Sequence, residues 1–250
     1  MSLRSRGFTL AELAVVLAVV ALALWGVLGT LAAQTELRSH EETRRRLDAA
    51  VKALIGFAIV QRRLPCPALG ASTGDESPPG GGSCSTYYGG FLPAKTIGIQ
   101  PTDAAGYALD AWGNRIRYAV SNALTGCVGA AALPHFTSAS NLKANGVSCR
   151  PNDIDLCLSA QGTTSNSCAS SANRAVSTET AAIVVLSSGK NGAIPSAHGA
   201  DELANLDGNP VFVSRTPSGA EASGGNYDDL VVWVPVGILY ARLIAAGVLP

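Results

Sequence analysis

Arg6-Gly7-Phe8-Thr9-Leu10-Ala11-Glu12 leads into an uncharged apolar run that ends at Ala33. From Phe8 to Ala33 the one ionisable side chain is that of Glu12. An α-helix over this stretch would be about 39 Å long, whereas the hydrocarbon core of a bilayer is about 30 Å thick. The stretch therefore predicts a membrane-spanning helix over residues 8–33. A cleaved secretory signal explains it less well, because the apolar region of such a signal is shorter and precedes the cleavage site.

The helical pattern continues after the apolar run, although the polarity changes. An amphipathic stripe recurs at helical spacing and consists of Leu47, Val51, Leu54 and Ala58. Pro65 then disfavours a helical conformation at the residue before it. The sequence thus predicts a second, amphipathic half of the same helix over residues 34–64, followed by a globular head over residues 65–250.

The charge balance gives the chain no basic field. Its 18 Lys and Arg residues are matched by 18 Asp and Glu residues. The run Arg44–Arg46 is basic, but Glu41 and Glu42 flank it, so we interpret it as a solvated helix face. We expect no nucleic-acid partner.

Six cysteines follow the apolar run: Cys66, Cys84, Cys127, Cys149, Cys157 and Cys168. Their even number and the absence of a Cys-x-x-Cys spacing favour three disulfides over a metal site. Disulfides in turn favour an oxidising compartment outside the cytoplasm. Sequence order favours the pairs Cys66–Cys84, Cys127–Cys149 and Cys157–Cys168, each of which closes a local loop.

The head is predicted to be of the α+β class. Turn residues dominate 65–106, and residues 121–180 have weak periodicity and four cysteines, which is typical of a disulfide-pinned insertion. Four strands are predicted to form one antiparallel sheet with a face on the long helix, over residues 115–120, 181–186, 210–214 and 230–234. The first of these is predicted to be half-buried, with Trp112 as a core anchor before it. Leu239, Leu243 and Ala246 predict a closing helix over 237–248.

Gly7-Phe8-Thr9-Leu10-Ala11-Glu12 resembles the processing site of the type IV pilin and type II secretion pseudopilin superfamily. The resemblance implies a leader over residues 1–7, cleavage after Gly7 by a prepilin peptidase, and N-methylation of Phe8. It makes Glu12 the hallmark acid of the mature chain. A carboxylate in an apolar helix is costly, so we expect Glu12 to pair with the amine of Phe8 on a neighbouring subunit during assembly.

The resemblance also implies a function and a location. The chain would be a single-pass protein of the bacterial inner membrane with its head in the periplasm, and later part of a periplasmic or surface filament. Its partners would be other pilin or pseudopilin subunits and the inner-membrane assembly platform. Asp110-x-Trp112-Gly113-Asn114 resembles a segment of the major pseudopilin and favours a role in type II protein secretion. The alternative is a minor type IV pilin whose head, through residues 121–180, acts as an adhesion module.

A metal site and an enzymatic site receive less support. Ser187–Gly192 with Asp228 and Asp229 resembles the calcium loop of major pseudopilins, but Lys190 adds a positive charge and Asn191 stands where an acid is expected. We therefore expect no cofactor, with calcium left open. The histidines, which are His40, His135 and His198, are scattered along the chain, and no catalytic motif accompanies them. The acids near His198 (Asp201, Glu202 and Asp207) are interpreted as a solvated loop, and we expect no enzymatic activity.

Overall fold

The computed structural model describes residues 10–71, 73–122, 134–177 and 180–249, with the backbone alone described for residues 24–33. Its helices are α1 (Leu10–Gln61), α2 (Ala94–Ile97), α3 (Ala139–Asn145), α4 (Ala200–Ala204) and α5 (Val236–Ala245). Its strands are β1 (Gly90–Phe91), β2 (Arg117–Val120), β3 (Asp155–Cys157), β4 (Ala181–Ser187), β5 (Val211–Val213) and β6 (Leu230–Pro235). The chain thus has the predicted α+β composition.

The chain divides into two compact units, Met1–Glu42 and Thr43–Pro250. The described part of the first unit is helical from Leu10 onwards. Its side chains from residue 10 to residue 23 are all exposed. Among the residues described, no helix is both long enough and apolar enough to cross a membrane.

The second unit contains the amphipathic end of α1. Of the predicted stripe, Leu47, Leu54 and Ala58 are fully buried there, and Val51 is half-buried and packs against the same core. The helix ends at Gln61, and Arg62 adopts a left-handed conformation with φ of 57°. This conformation ends the helical hydrogen bonding before Pro65 is reached.

The main sheet is antiparallel and has the strand order β1-β2-β4-β6. Three of its strands were predicted, and the edge strand β1 lies in the region expected to be loop. The prediction for residues 210–214 was wrong in its pairing. Val211–Val213 pairs in parallel with Asp155–Cys157 as a separate two-stranded sheet. The sequence hides this pairing because β3 has three residues, too few to show a periodicity.

Both faces of the main sheet are covered. One face joins α1 and α5 in a core that includes Tyr118, Val120 and Ile183. The other face buries Ala119 and Val184 against Leu156 and Phe212 of the smaller sheet. β2 is therefore buried on both sides from Tyr118 to Val120, whereas the sequence predicted a half-buried strand. Ala119 is small and lies between two larger residues, so in the sequence it looked like a solvent-facing position of an alternating strand.

The closing helix and two disulfides agree with the sequence. Leu239 and Leu243 of α5 are buried as predicted, whereas Ala246 caps the helix end and is exposed. Disulfides join Cys66 to Cys84 and Cys157 to Cys168, two of the pairs that sequence order favoured. Cys149 is also disulfide-bonded. Its predicted partner, Cys127, lies outside the described residues.

Candidate functional site

The start of α1 places a carboxylate among exposed apolar side chains. Glu12 lies in the first described turn of the helix, where a negative charge interacts favourably with the helix dipole. The exposed fraction of the large apolar residues around it runs from 47% at Val20 to 88% at Leu10. So much apolar surface on every side of a helix is typical of a segment that lipid or other protein covers. Gly7 and Phe8, the predicted processing residues, lie outside the described residues.

The Asp110-x-Trp112-Gly113-Asn114 segment forms a tight turn around a buried carboxylate. Asp110 is 2% exposed, and its Oδ1 accepts hydrogen bonds from the backbone N–H groups of Trp112 at 2.9 Å and Asn114 at 2.8 Å. The Asn114 side chain in turn donates to the Gly189 carbonyl at 2.6 Å. Trp112 itself is half-buried and belongs to none of the buried clusters, so its predicted role as a core anchor was wrong. Asp110 organises this turn instead.

The second unit's part of α1 holds the same turn. The Thr43 hydroxyl accepts a hydrogen bond from the Ala111 N–H at 3.0 Å, and Arg46 Nη1 donates to the carbonyls of Leu109 at 3.0 Å and Asp110 at 2.7 Å. The interpretation of Arg44–Arg46 as a solvated face therefore holds for Arg44 and Arg45 but not for Arg46. One guanidinium satisfies two loop carbonyls and fixes the turn on the helix.

An acidic cluster lies where the calcium loop was considered. Glu202, Asp228 and Asp229 each place a carboxylate oxygen within 4.8 Å of the others. Glu202 is fully buried, and its Oε1 accepts from the Asp228 N–H at 2.7 Å while its Oε2 accepts from Asn191 Nδ2 at 2.9 Å. The prediction of a solvated loop was wrong for Glu202 and also for Asp201, which is 1% exposed, whereas Asp207 is exposed.

Sequence reasoning missed Glu202 as a member of this cluster, although one local signal was present. The Gly199 N–H donates to Glu202 Oε2 at 3.0 Å. A Glu three residues after a helix N-cap is the usual position for such a contact. The signal predicts the cap, but not that the carboxylate also reaches the loops of Asn191 and Asp228.

The donor set of the cluster suits a hard cation. Asp229 is 5% exposed; its Oδ2 accepts from Asn205 Nδ2 at 2.7 Å, and its Oδ1 is buried without a hydrogen bond. Asn191 Oδ1 is likewise buried without a donor. Burial raises the pKa of Asp229 to about 8, so without a cation this carboxyl group carries a proton at neutral pH. Calcium is coordinated by oxygen atoms, and buried oxygen atoms that accept no hydrogen bond are suitable ligands for it.

The histidines do not converge on one site. His135 is fully buried, and its Nε2 lies 2.9 Å from the Tyr240 hydroxyl. Because that hydroxyl donates to the Cys149 carbonyl, it must accept from Nε2, which fixes the proton of His135 on Nε2. His40 lies on α1 near Glu36, and His198 lies two residues before α4.

Comparison with known proteins finds a family match at the start of the chain. The prokaryotic N-terminal methylation motif matches residues 2–28. No curated protein and no solved structure matches the chain. The matched motif contains the predicted cleavage junction and Glu12 at the beginning of α1, and it supports the recognition of the chain as a type IV pilin-like or pseudopilin-like protein.

Proposed function

We propose that the chain is a structural subunit of a type IV pilus-like filament and, within this class, a pseudopilin of a type II secretion system. The observation that carries the proposal is the methylation motif at residues 2–28, followed by a helix whose described apolar side chains are exposed. The proposal includes no enzymatic activity.

In this proposal the apolar half of α1 has two successive environments. Residues 8–33 anchor the precursor in the inner membrane with its head in the periplasm, and they then pack against the same residues of other subunits in the filament core. Burying a Leu or Val side chain stabilises an assembly by about 1.5–3 kcal/mol relative to exposure. The exposed residues from Leu10 to Leu22 therefore supply a large driving force for either environment.

Glu12 selects the register of this packing. A carboxylate buried among apolar helices is tolerated when a positive group lies against it. Cleavage after Gly7 would create that group as the methylated amine of Phe8 on a neighbouring subunit. The same pairing would exclude registers in which the acid meets apolar side chains alone.

Two features of the head support the proposal of a secretion role over an adhesion role. The segment that resembles the major pseudopilin is a structural turn, fixed by Asp110 on one side and Arg46 on the other. The described part of residues 121–180, proposed as the adhesion module in the alternative, contributes Leu156 to the second face of the sheet. A segment so embedded in the core supports a structural role more than a separate binding module.

The function is tested by replacing Glu12 in a bacterium that carries the secretion or pilus machinery. Glu12→Leu keeps the apolar helix and removes the acid, so membrane extraction should recover the protein as before. Its incorporation into sheared filaments should fall about 100-fold, which corresponds to about 3 kcal/mol for an amine left without its partner. Glu41→Leu, an exposed acid on the same helix, is the matched control. Normal incorporation of the Glu12 variant would refute the pairing.

A cation site is a second proposal, and it is favoured by the buried oxygen atoms without donors. Calcium held by Asp228, Asp229 and the Asn191 amide oxygen would neutralise the cluster and tie the loop after β4 to the start of β6. In the full-length protein we expect CaCl₂ to raise the melting temperature relative to EDTA. Asp229→Asn should abolish the increase. Equal melting temperatures in calcium and EDTA would exclude a calcium site.

A further inference from the structure

β6 is the last strand at one edge of the main sheet. It runs from Leu230 to Pro235, and among the described strands it pairs with β4 alone. Five of its six residues are half-buried, and Val234 is buried. An edge strand of this length carries a row of backbone groups that another strand can use.

The hydrogen-bonding pattern tells which groups face outward. The Ser121 N–H donates to the Ala182 carbonyl, so the backbone groups of Ala182 point toward β2. The backbone groups of consecutive residues in a strand point in opposite directions within the sheet. Those of Ile183 and Val185 therefore point toward β6, where these residues lie opposite Val234 and Val232. Residues of β6 with even numbers therefore bond to β4.

The odd-numbered residues of β6 point their backbone groups away from β4. Val231 and Trp233 each offer an N–H and a carbonyl, spaced two residues apart. Pro235 offers a carbonyl but no N–H, which ends the row of donors. The open ladder is thus short and centred on Val232.

The side chains of β6 carry none of the charges that usually protect an edge. Its residues are Leu, Val, Val, Trp, Val and Pro, without a Lys or Glu. Val231 and Trp233 pack on one core cluster, and Leu230, Val232 and Val234 pack on the other. A strand added here would need to be apolar on both faces.

The opposite edge of the sheet is closed to such an addition. β1 has two residues, and Phe91 exchanges both of its backbone hydrogen bonds with Ala68 at 2.9 Å. A second copy of the chain therefore cannot extend the sheet by placing its β1 against β6. It can do so with its own β6, whose length, apolarity and outward groups match by symmetry.

We propose that β6 pairs in antiparallel fashion with β6 of a second copy of this chain, about a two-fold axis at Val232. Val231 of one copy then lies opposite Trp233 of the other, so the two outward residues exchange both hydrogen bonds. The same exchange occurs on the other side of the axis. Val–Trp pairs are favourable cross-strand neighbours, and no like charges meet. This pairing does not rest on the proposed filament function.

The proposal is tested on the full-length protein in detergent by amide hydrogen exchange resolved to single residues. In the dilute protein we expect slow exchange at Val232 and Val234 and fast exchange at Val231 and Trp233. At high concentration exchange at Val231 and Trp233 should slow at least about tenfold. The readout distinguishes β6 pairing from association through the apolar part of α1, which leaves these two amides unchanged.

A proline variant tests the same contact independently. Val231→Pro removes one outward N–H and leaves the bonds to β4 intact, whereas Val231→Thr retains the N–H in a side chain of similar shape. The proline variant should weaken the dimer at least about tenfold in sedimentation equilibrium, and the threonine variant should not. The proposal is overturned if both amides exchange at the same rate at all concentrations, whether slowly because another segment covers the edge or rapidly because nothing does. Protection induced instead by a different protein would also overturn it.

Discussion

The carboxylate of Asp110 accepts a hydrogen bond of 2.6 Å from the hydroxyl of Ser187, 77 residues further along the chain. Both side chains are buried, and Ser187 is the last residue of β4. The other oxygen of Asp110 holds the turn before β2. A single carboxylate therefore fixes the turn before β2 and the end of β4 together.

Replacement of Asp110 should destabilise the head in proportion to the contacts that are lost. Asp110→Ala leaves two backbone donors and a hydroxyl without an acceptor, so the free energy of unfolding should fall by about 3 kcal/mol. Asp110→Asn retains an acceptor for the turn and should cost about 1 kcal/mol. Denaturant unfolding measures both values. Equal losses in the two variants would show that side-chain volume, not hydrogen bonding, is responsible.

The buried ion pair after α1 should stabilise the head only while both of its partners are present. Arg63 and Glu76, which are 8% and 7% exposed, form two hydrogen bonds of 2.7 and 2.6 Å. Glu76→Ala leaves the guanidinium buried without its partner and should cost about 3–5 kcal/mol in denaturant unfolding. The exposed pair of Lys95 and Asp75 is the matched control, and Asp75→Ala should change stability little.

A double variant separates the charge effect from the hydrogen bonds of Glu76. Arg63→Met with Glu76→Leu removes both charges and should recover about half of the loss. Recovery should be incomplete because the Cys66 and Gly80 N–H groups, at 3.1 and 3.2 Å from Glu76, lose their acceptor. A double variant as unstable as Glu76→Ala would contradict this account.

Periodic patterns made part of this fold predictable. Leu47, Leu54 and Ala58 lie on one face of α1 because a helix repeats every 3.6 residues, and this apolar face is buried. The continuous apolar run of β4 is likewise buried throughout. These features depend on neighbours in the sequence, which a reader of the sequence can see.

Features that depend on distant residues were not predictable. Val211–Val213 reads as a strand, but its parallel partner Asp155–Cys157 is too short to be recognised. Trp112 suggested a core anchor by its size, whereas the buried residue of that turn is Asp110, whose partner is Ser187. Glu202 was interpreted as solvated together with the nearby acids Asp201 and Asp207, yet it bonds to Asn191 and Asp228 of two other loops and is buried.

His135 should make stability depend on pH. Burial lowers the pKa of His135 from 6.5 to about 4. Between these values the unfolded chain binds a proton on His135 that the folded chain does not, so the contribution of this group to the free energy of unfolding falls as the pH falls. Between pH 7 and pH 5 the loss due to this group should be about 2 kcal/mol.

The His135 contribution is isolated by a variant that cannot titrate. His135→Gln can still donate to the Tyr240 hydroxyl, and it should lose about 2 kcal/mol less than the original chain between pH 7 and pH 5. Identical pH profiles for the original chain and the His135→Gln variant would contradict the assignment.

The central claim is tested most directly by mass spectrometry of the N-terminus of the protein, isolated from a bacterium that has a prepilin peptidase. Processing as a pilin-like subunit predicts a chain that begins at Phe8 and carries one additional methyl group on its amine. Gly7→Val should retain the leader over residues 1–7. A chain that still begins at Met1, or that begins after residue 33 as a cleaved secretory protein would, contradicts the account.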